Sequence, residues 1–169
     1  VANCHKLPAS MFRKRMLSVD EITEAYEPII SKFKHVIFTV SPVRHWKDGV
    51  IENTRSKSIL HLAIQELEMK FDNVHYFPSY EIVMDELRDY RFFKEDMLHP
   101  NNQAVDYVWE KFQDVYFSDD TKGLVSRVEK FRKLSQHMLV DSEEKNQKLH
   151  NDKVASEEKN LLKLIPHLK

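Results

Sequence analysis

The chain has 169 residues, of which 41% are hydrophobic and 31% are charged, and its formal net charge at neutral pH is -1. This length allows one domain with a sizeable core, while the balanced charge excludes the basic excess expected of proteins that bind nucleic acid. With only two glycines, one cysteine and no apolar run of roughly 20 residues, the sequence excludes glycine-rich phosphate loops, an internal disulfide and a membrane span.

The single cysteine, Cys4, favours a protein of the reducing cytoplasm. Cys4 and His5 place a thiol beside an imidazole within residues 3–6. Adjacent side chains rarely converge on one atom, and no second ligand pair follows at a suitable spacing. We therefore predict neither a metal site nor a cofactor.

The chain then alternates predicted helices and strands, beginning with a helix over about residues 19–33. Ser18 and Glu21 form a capping box at its start, and Pro28 should kink or split it. The apolar run at 35–41 shows no alternation, which is typical of a strand buried on both faces.

A second helix is predicted over about 56–71 and a second short strand over 74–79, after which Ser79 can cap a brief helix through Leu87. The clearest helical periodicity follows at about 102–117. The predicted apolar face of the second helix is made of Ile59, Leu60, Ala63, Ile64, Leu67 and Phe71.

This alternation predicts an α/β fold with parallel strands. Two strands alone are too few for an independent sheet, since stability requires about three or more. We therefore expect the neighbouring strands elsewhere, with residues 1–120 as the C-terminal part of a larger domain and 121–169 as a helical extension.

The extension itself is predicted to contain a packed helix around 124–139 and a capping box at 141–144, followed by a highly charged helix to Leu164. The apolar stripe of this last helix is thin. Such a helix is either a solvated arm or one half of an interface, for a homo-oligomer or another partner.

The pattern Asp-x-x-His occurs twice, at Asp72/His75 and at Asp96/His99. Ligand sites of open α/β sheets form beyond the carboxyl ends of strands. The first pair lies where the chain enters a strand, so it is interpreted as a turn residue and a sheet histidine. The second pair follows a strand and precedes a helix. There Asp96 could orient His99 as a general base, although either residue could instead cap the helix, with Pro100 in its first turn.

The segment "DMLHPN", followed by a helix ending in "WEKF", resembles the last block of the SGNH (GDSL-like) hydrolases. Together with "TVSPVRHWKDG", "NTRSK", "YFPSYEIV" and the opening "VANCHKLPASMFRKRMLSVDEI", the chain is similar to the bacterial GSCFA family over about residues 1–117. The resemblance implies a flavodoxin-like α/β/α sandwich and a Ser-His-Asp triad, with His99 as the base and Asp96 as its orienting carboxylate. The implied reaction is ester hydrolysis through an acyl-enzyme, on a small-molecule, glycan or lipid ester.

The sequence departs from this family in one respect, because it contains no Gly-Ser-Cys-Phe-Ala or Gly-Asp-Ser stretch. We expect the nucleophilic serine and the oxyanion donors before Val1, so the 169 residues alone should be inactive. The serines near the active edge of the sheet have simpler interpretations as strand ends or helix caps; they are Ser41, Ser56, Ser58 and Ser79.

Four polar residues follow the first strand at its carboxyl edge, where a substrate would lie; they are Arg44, His45, Asp48 and Asn53. Arg44 could hold a carboxylate or phosphate with two parallel hydrogen bonds, although a solvated polar loop explains these residues equally well. The alternative to an enzyme is a non-catalytic interaction module that uses the helix within 141–169.

Overall fold

The computed structural model describes residues 7–136 and 144–165, and the chain forms two compact units, Val1–Glu110 and Lys111–Lys169. The helices are α1 (Val19–Ile30), α2 (Val50–Lys70), α3 (Ser79–Glu81, continued by π-helical turns over Ile82–Leu87), α4 (Asn102–Tyr116), α5 (Asp119–Gln136) and α6 (Glu144–Leu164). The strands are β1 (Val36–Phe38) and β2 (Val74–Tyr76), and short 3-10 turns cover Ala9–Met11, Trp46–Asp48 and Tyr90–Phe92. The described chain is thus a mainly helical α/β protein.

Helix α1 begins at the predicted capping box. The Ser18 Oγ accepts a hydrogen bond of 3.2 Å from the Glu21 N–H, and the Glu21 carboxylate accepts one of 2.9 Å from the Ser18 N–H. Pro28 lies in the last turn, and the helix ends at Ile30, three residues before the predicted end. Proline supplies no N–H to continue the helical hydrogen bonds, and the helix ends two residues after Pro28.

Strands β1 and β2 are parallel, as predicted, and pair in the register Val36 with Val74 and Phe38 with Tyr76. The core beneath them contains Ile30, Leu67 and Val74, with Val36, Phe38 and Phe71 packed against it. Ile37 is exposed, so the prediction that this strand is buried on both faces is wrong. Side chains alternate along a strand, and α1 and α2 both contribute to the core under Val36 and Phe38.

Helix α2 starts at Val50, six residues earlier than predicted. Its N-cap is Gly49, whose positive φ of 81° is a conformation that glycine adopts readily. Because glycine has no side chain to cap the helix, the sequence lacks the usual start signal at this position. Ala63, Ile64 and Leu67 are buried as predicted, whereas the other members of the predicted face are half-buried.

The second unit contains α5 and α6, which contact each other. Arg127 of α5 and Glu157 of α6 form an ion pair of 3.4 Å, and Leu161 of α6 is buried. The helix predicted at 124–139 ends at Gln136; Met138 and Leu139, and the first three residues of the capping box at 141–144, lie outside the described residues. No helix within 7–136 or 144–165 is both long enough and apolar enough to cross a membrane.

Candidate active site

Asp96 and His99 lie in one tight turn between the 3-10 turn at Tyr90–Phe92 and α4. The Asp96 Oδ2 is 2.7 Å from the His99 Nδ1, and the Asp96 Oδ1 accepts hydrogen bonds from the N–H groups of Leu98 (2.8 Å) and His99 (3.0 Å). The turn is closed by the Lys94 N–H, which donates to the His99 carbonyl at 2.8 Å. Both carboxylate oxygens of Asp96 therefore form hydrogen bonds within this turn.

Helix α4 is capped by a different residue, Asn101. Its Oδ1 accepts a hydrogen bond of 3.1 Å from the Ala104 N–H, which is the usual geometry of an N-cap. The Asn101 side chain also donates to the Arg91 carbonyl at 2.6 Å. Because Asn101 fills the capping position, Asp96 and His99 do not cap the helix, and that alternative from the sequence is wrong.

The protonation of this pair follows from the hydrogen bonds of Asp96. The N–H groups of His99 and Leu98, and then the His99 ring, lower the pKa of Asp96 to about 2. A carboxylate at neutral pH is only an acceptor, so the His99 Nδ1 must carry the proton of the 2.7 Å bond. In the neutral imidazole, the Nε2 is then free to accept a proton, and the side chain of His99 is 53% exposed.

We predict that a 13C NMR titration will place the midpoint of the Asp96 carboxyl near pH 2. The pKa of an ordinary aspartate is about 3.9, so deprotonated Asp96 stabilises the folded turn at pH values above about 4. Because the folded pKa is lowered, this contribution is lost as the pH falls through about 2. A midpoint near 4 would contradict the hydrogen bonds from Leu98 and His99.

A cleft of about 470 Å³ lies beside the turn. It is lined by Arg44, Trp46, Tyr90, Asp96, Met97 and Leu98. A second cleft of about 480 Å³, which includes Ser56, contains neither Asp96 nor His99. The first cleft is the better candidate for a substrate site because Asp96, the hydrogen-bond partner of His99, lines it.

The predicted substrate-binding residues have different surroundings. The Arg44 Nη1 lies 3.5 Å from the Met97 carbonyl, next to Asp96. His45 is exposed, and its N–H donates to the Asn53 Oδ1 at 2.9 Å, so the Asn53 amide holds the loop. Asp48 forms an ion pair with Lys14, which lowers the pKa of Asp48. Of these residues, the structure brings only Arg44 to the lining of the cleft.

Lys57 is a buried residue that the sequence interpretation missed. It is 4% exposed, its Nζ donates to the Ser41 carbonyl at 2.6 Å, and burial lowers its pKa. A sequence signal was present, because Lys57 stands three residues before Leu60 and seven before Ile64, on the apolar face of α2. Together with Asn53, Lys57 fixes the loop that carries Arg44.

Two of the candidate serines, Ser41 and Ser58, make local hydrogen bonds. The Ser41 Oγ accepts from the Val43 N–H at 3.2 Å, and the Ser58 Oγ donates to the Thr54 carbonyl at 3.0 Å. Ser79 is not the predicted helix cap: it is the first residue of α3, and its hydroxyl donates to the Val40 carbonyl at 3.0 Å. This bond joins the carboxyl ends of the two strands.

The remaining histidine and cysteine candidates from the sequence are His75, Cys4 and His5. His75 lies in β2, with its ring centroid 5.8 Å from that of His35. Cys4 and His5 lie outside the described residues. Within the described ranges, no three or more His, Cys, Asp or Glu side chains gather as metal ligands.

Comparison with known proteins gives one family match. A model of the GSCFA family matches residues 1–112, which is about two-thirds of the chain. No curated protein and no solved structure matches the sequence. The matched range includes Asp96, His99 and all the residues that line the neighbouring cleft. The chain belongs to the GSCFA family.

Proposed function

We propose that this chain supplies the histidine and aspartate of an SGNH-type serine hydrolase that cleaves esters. The observation that carries the proposal is the 2.7 Å hydrogen bond between the Asp96 Oδ2 and the His99 Nδ1, which leaves the Nε2 as a base. A carboxylate that fixes the tautomer of an exposed imidazole is the arrangement that activates a serine nucleophile. The GSCFA family membership is compatible with this chemistry.

In the proposed reaction, the serine Oγ attacks the ester carbonyl while the His99 Nε2 takes the hydroxyl proton. The tetrahedral intermediate collapses as the C–O bond to the alcohol breaks, and His99 returns the proton to the departing alkoxide. Water then attacks the acyl-enzyme with His99 again as the base, and the serine regains its proton as the acid leaves. Asp96 stays ionised throughout and stabilises the imidazolium.

We place the nucleophile in the Gly-Ser-Cys-Phe-Ala motif that gives the family its name and that these 169 residues do not contain. A segment upstream of Val1 would supply this motif and the further strands of a flavodoxin-like sandwich, with residues 1–120 as its C-terminal part. The parallel pairing of β1 and β2 supports that architecture, because parallel strands need neighbours and helical cover.

The substrate would lie in the cleft next to Asp96, with its acyl or alcohol part against Trp46 and Tyr90. Arg44 offers a planar guanidinium for an anionic group of this substrate, with His45 next to it on the loop and Asn53 in the first turn of α2. A glycan or lipid ester fits the proposed reaction class, and the single Cys4 supports a cytoplasmic location.

The proposal is tested by intact-mass spectrometry after reaction with a fluorophosphonate, which labels activated serines. The 169-residue chain and the longer protein that includes the upstream motif are treated side by side. We expect one adduct on the longer protein only. An adduct on the 169-residue chain would contradict the upstream position of the serine, and no adduct on either would favour the interaction module with its helix in 141–169.

A further inference from the structure

Arg44 connects two loops that are far apart in the sequence. Its guanidinium carbon lies 5.6 Å from the ring centroid of Tyr90 and 5.1 Å from that of Phe93, within cation–π distance of both rings. Its Nη1 is 3.5 Å from the carbonyl oxygen of Met97, which is 53 residues away in the chain. The Arg44 side chain thus contacts two aromatic rings that precede the Asp96/His99 turn and a backbone carbonyl within it.

Met97 is the residue of that turn whose backbone conformation is least favourable. Its φ of 58° lies in the left-handed region, where a side chain with a Cβ is disfavoured. Met97 stands directly after Asp96, and its conformation directs the Leu98 and His99 N–H groups toward the Asp96 carboxylate. A contact that stabilises this conformation of Met97 therefore also stabilises the hydrogen bonds to the Asp96 carboxylate.

We propose that Arg44 is a positioning residue, which stacks on Tyr90 and Phe93 and donates to the Met97 carbonyl so that the turn keeps Asp96 on the ring of His99. The loop of Arg44 is itself anchored to α2 by the Lys57 and Asn53 hydrogen bonds. A guanidinium has five N–H donors, so this role leaves donors for a substrate. The contacts of Arg44 with the turn do not depend on the proposed hydrolase function; only their effect on catalysis rests on it.

The test uses the 169-residue chain and needs no turnover. The Asp96 carboxyl is titrated by 13C NMR in the wild type and in Arg44→Lys, Arg44→Met and Arg44→Ala. The groups that lower the pKa of Asp96 all belong to the turn itself. If Arg44 positions the turn, all three variants should raise the midpoint from about 2 by one pH unit or more, toward the ordinary aspartate value of about 3.9. Hydrogen exchange at the His99 amide should become at least about tenfold faster.

The matched control is Arg91→Ala. The guanidinium carbon of Arg91 lies 5.0 Å from the ring centroid of Phe92, and its guanidinium forms an ion pair with the carboxylate of Asp89. This variant should keep the wild-type titration of Asp96. Arg44→Met preserves the length of the aliphatic stem, so it keeps the test valid if Arg44→Ala disturbs folding.

Two results would overturn the inference. One is an unchanged Asp96 midpoint in Arg44→Met. The other is a wild-type midpoint in Arg44→Lys with a raised midpoint in Arg44→Met. In that case a positive charge at position 44 would be sufficient to keep the pKa of Asp96 low, without the stacking and hydrogen bond of the guanidinium. In the active protein, Arg44→Lys should lower kcat more than it raises KM, whereas loss of a pure substrate contact would raise KM. Failure of the ester hydrolysis itself would leave the titration result intact.

Discussion

His99→Ala should lower kcat/KM for ester hydrolysis by a factor on the order of 10⁴ or more in the protein that includes the nucleophilic serine. The variant removes the base that takes the serine proton and returns it to the leaving alcohol. The His99 side chain is 53% exposed, so the fold should survive. The measurement is steady-state hydrolysis of a p-nitrophenyl ester, together with the yield of the fluorophosphonate adduct, which should fall in parallel.

His75→Ala is the matched control, because Asp72 and His75 repeat the same Asp-x-x-His spacing in the sequence. His75 lies in β2, with its ring near that of His35. Its replacement should leave kcat/KM within about twofold of the wild type. If activity persisted in His99→Ala but disappeared in His75→Ala, the base would be His75, and the proposed role of His99 would be refuted.

Leu67→Ala should lower the free energy of unfolding by about 3 kcal/mol, within the usual range for a buried leucine. Leu67 is 1% exposed and belongs to the core with Ile30 and Val74, beneath both strands. The substitution removes buried methyl groups and leaves a cavity that packed neighbours fill only in part. Urea unfolding followed by far-UV circular dichroism measures the difference.

Leu62→Ala serves as the comparison on the same helix. Leu62 is 52% exposed, so its truncation should change the free energy of unfolding by no more than about 0.5 kcal/mol. Equal losses for the two variants would show that α2 does not present Leu67 to the core. The result also bears on the site, because α2 carries Asn53 and Lys57, which hold the Arg44 loop.

Local patterns predicted those features whose determinants lie within one turn of chain. The capping box of Ser18 and Glu21 and the ends of α4 match the predictions closely. The Asp96/His99 hydrogen bond has the same origin, because a spacing of three residues lets the aspartate reach both the histidine amide and its ring. The start of α2 escaped prediction because Gly49 gives no side-chain signal.

The sequence by itself therefore determined the order of the main helices, the parallel strand pair and the family to which the chain belongs. Only the tertiary structure decided that Ser79 donates to the Val40 carbonyl and that Lys57 is buried against the Ser41 carbonyl. It also decided that Arg44 reaches the Met97 carbonyl. The bonds of Ser79, Lys57 and Arg44 join residues 16 to 53 positions apart. Local periodicity carries no information about such distant partners, because packing of the strands and helices brings them together.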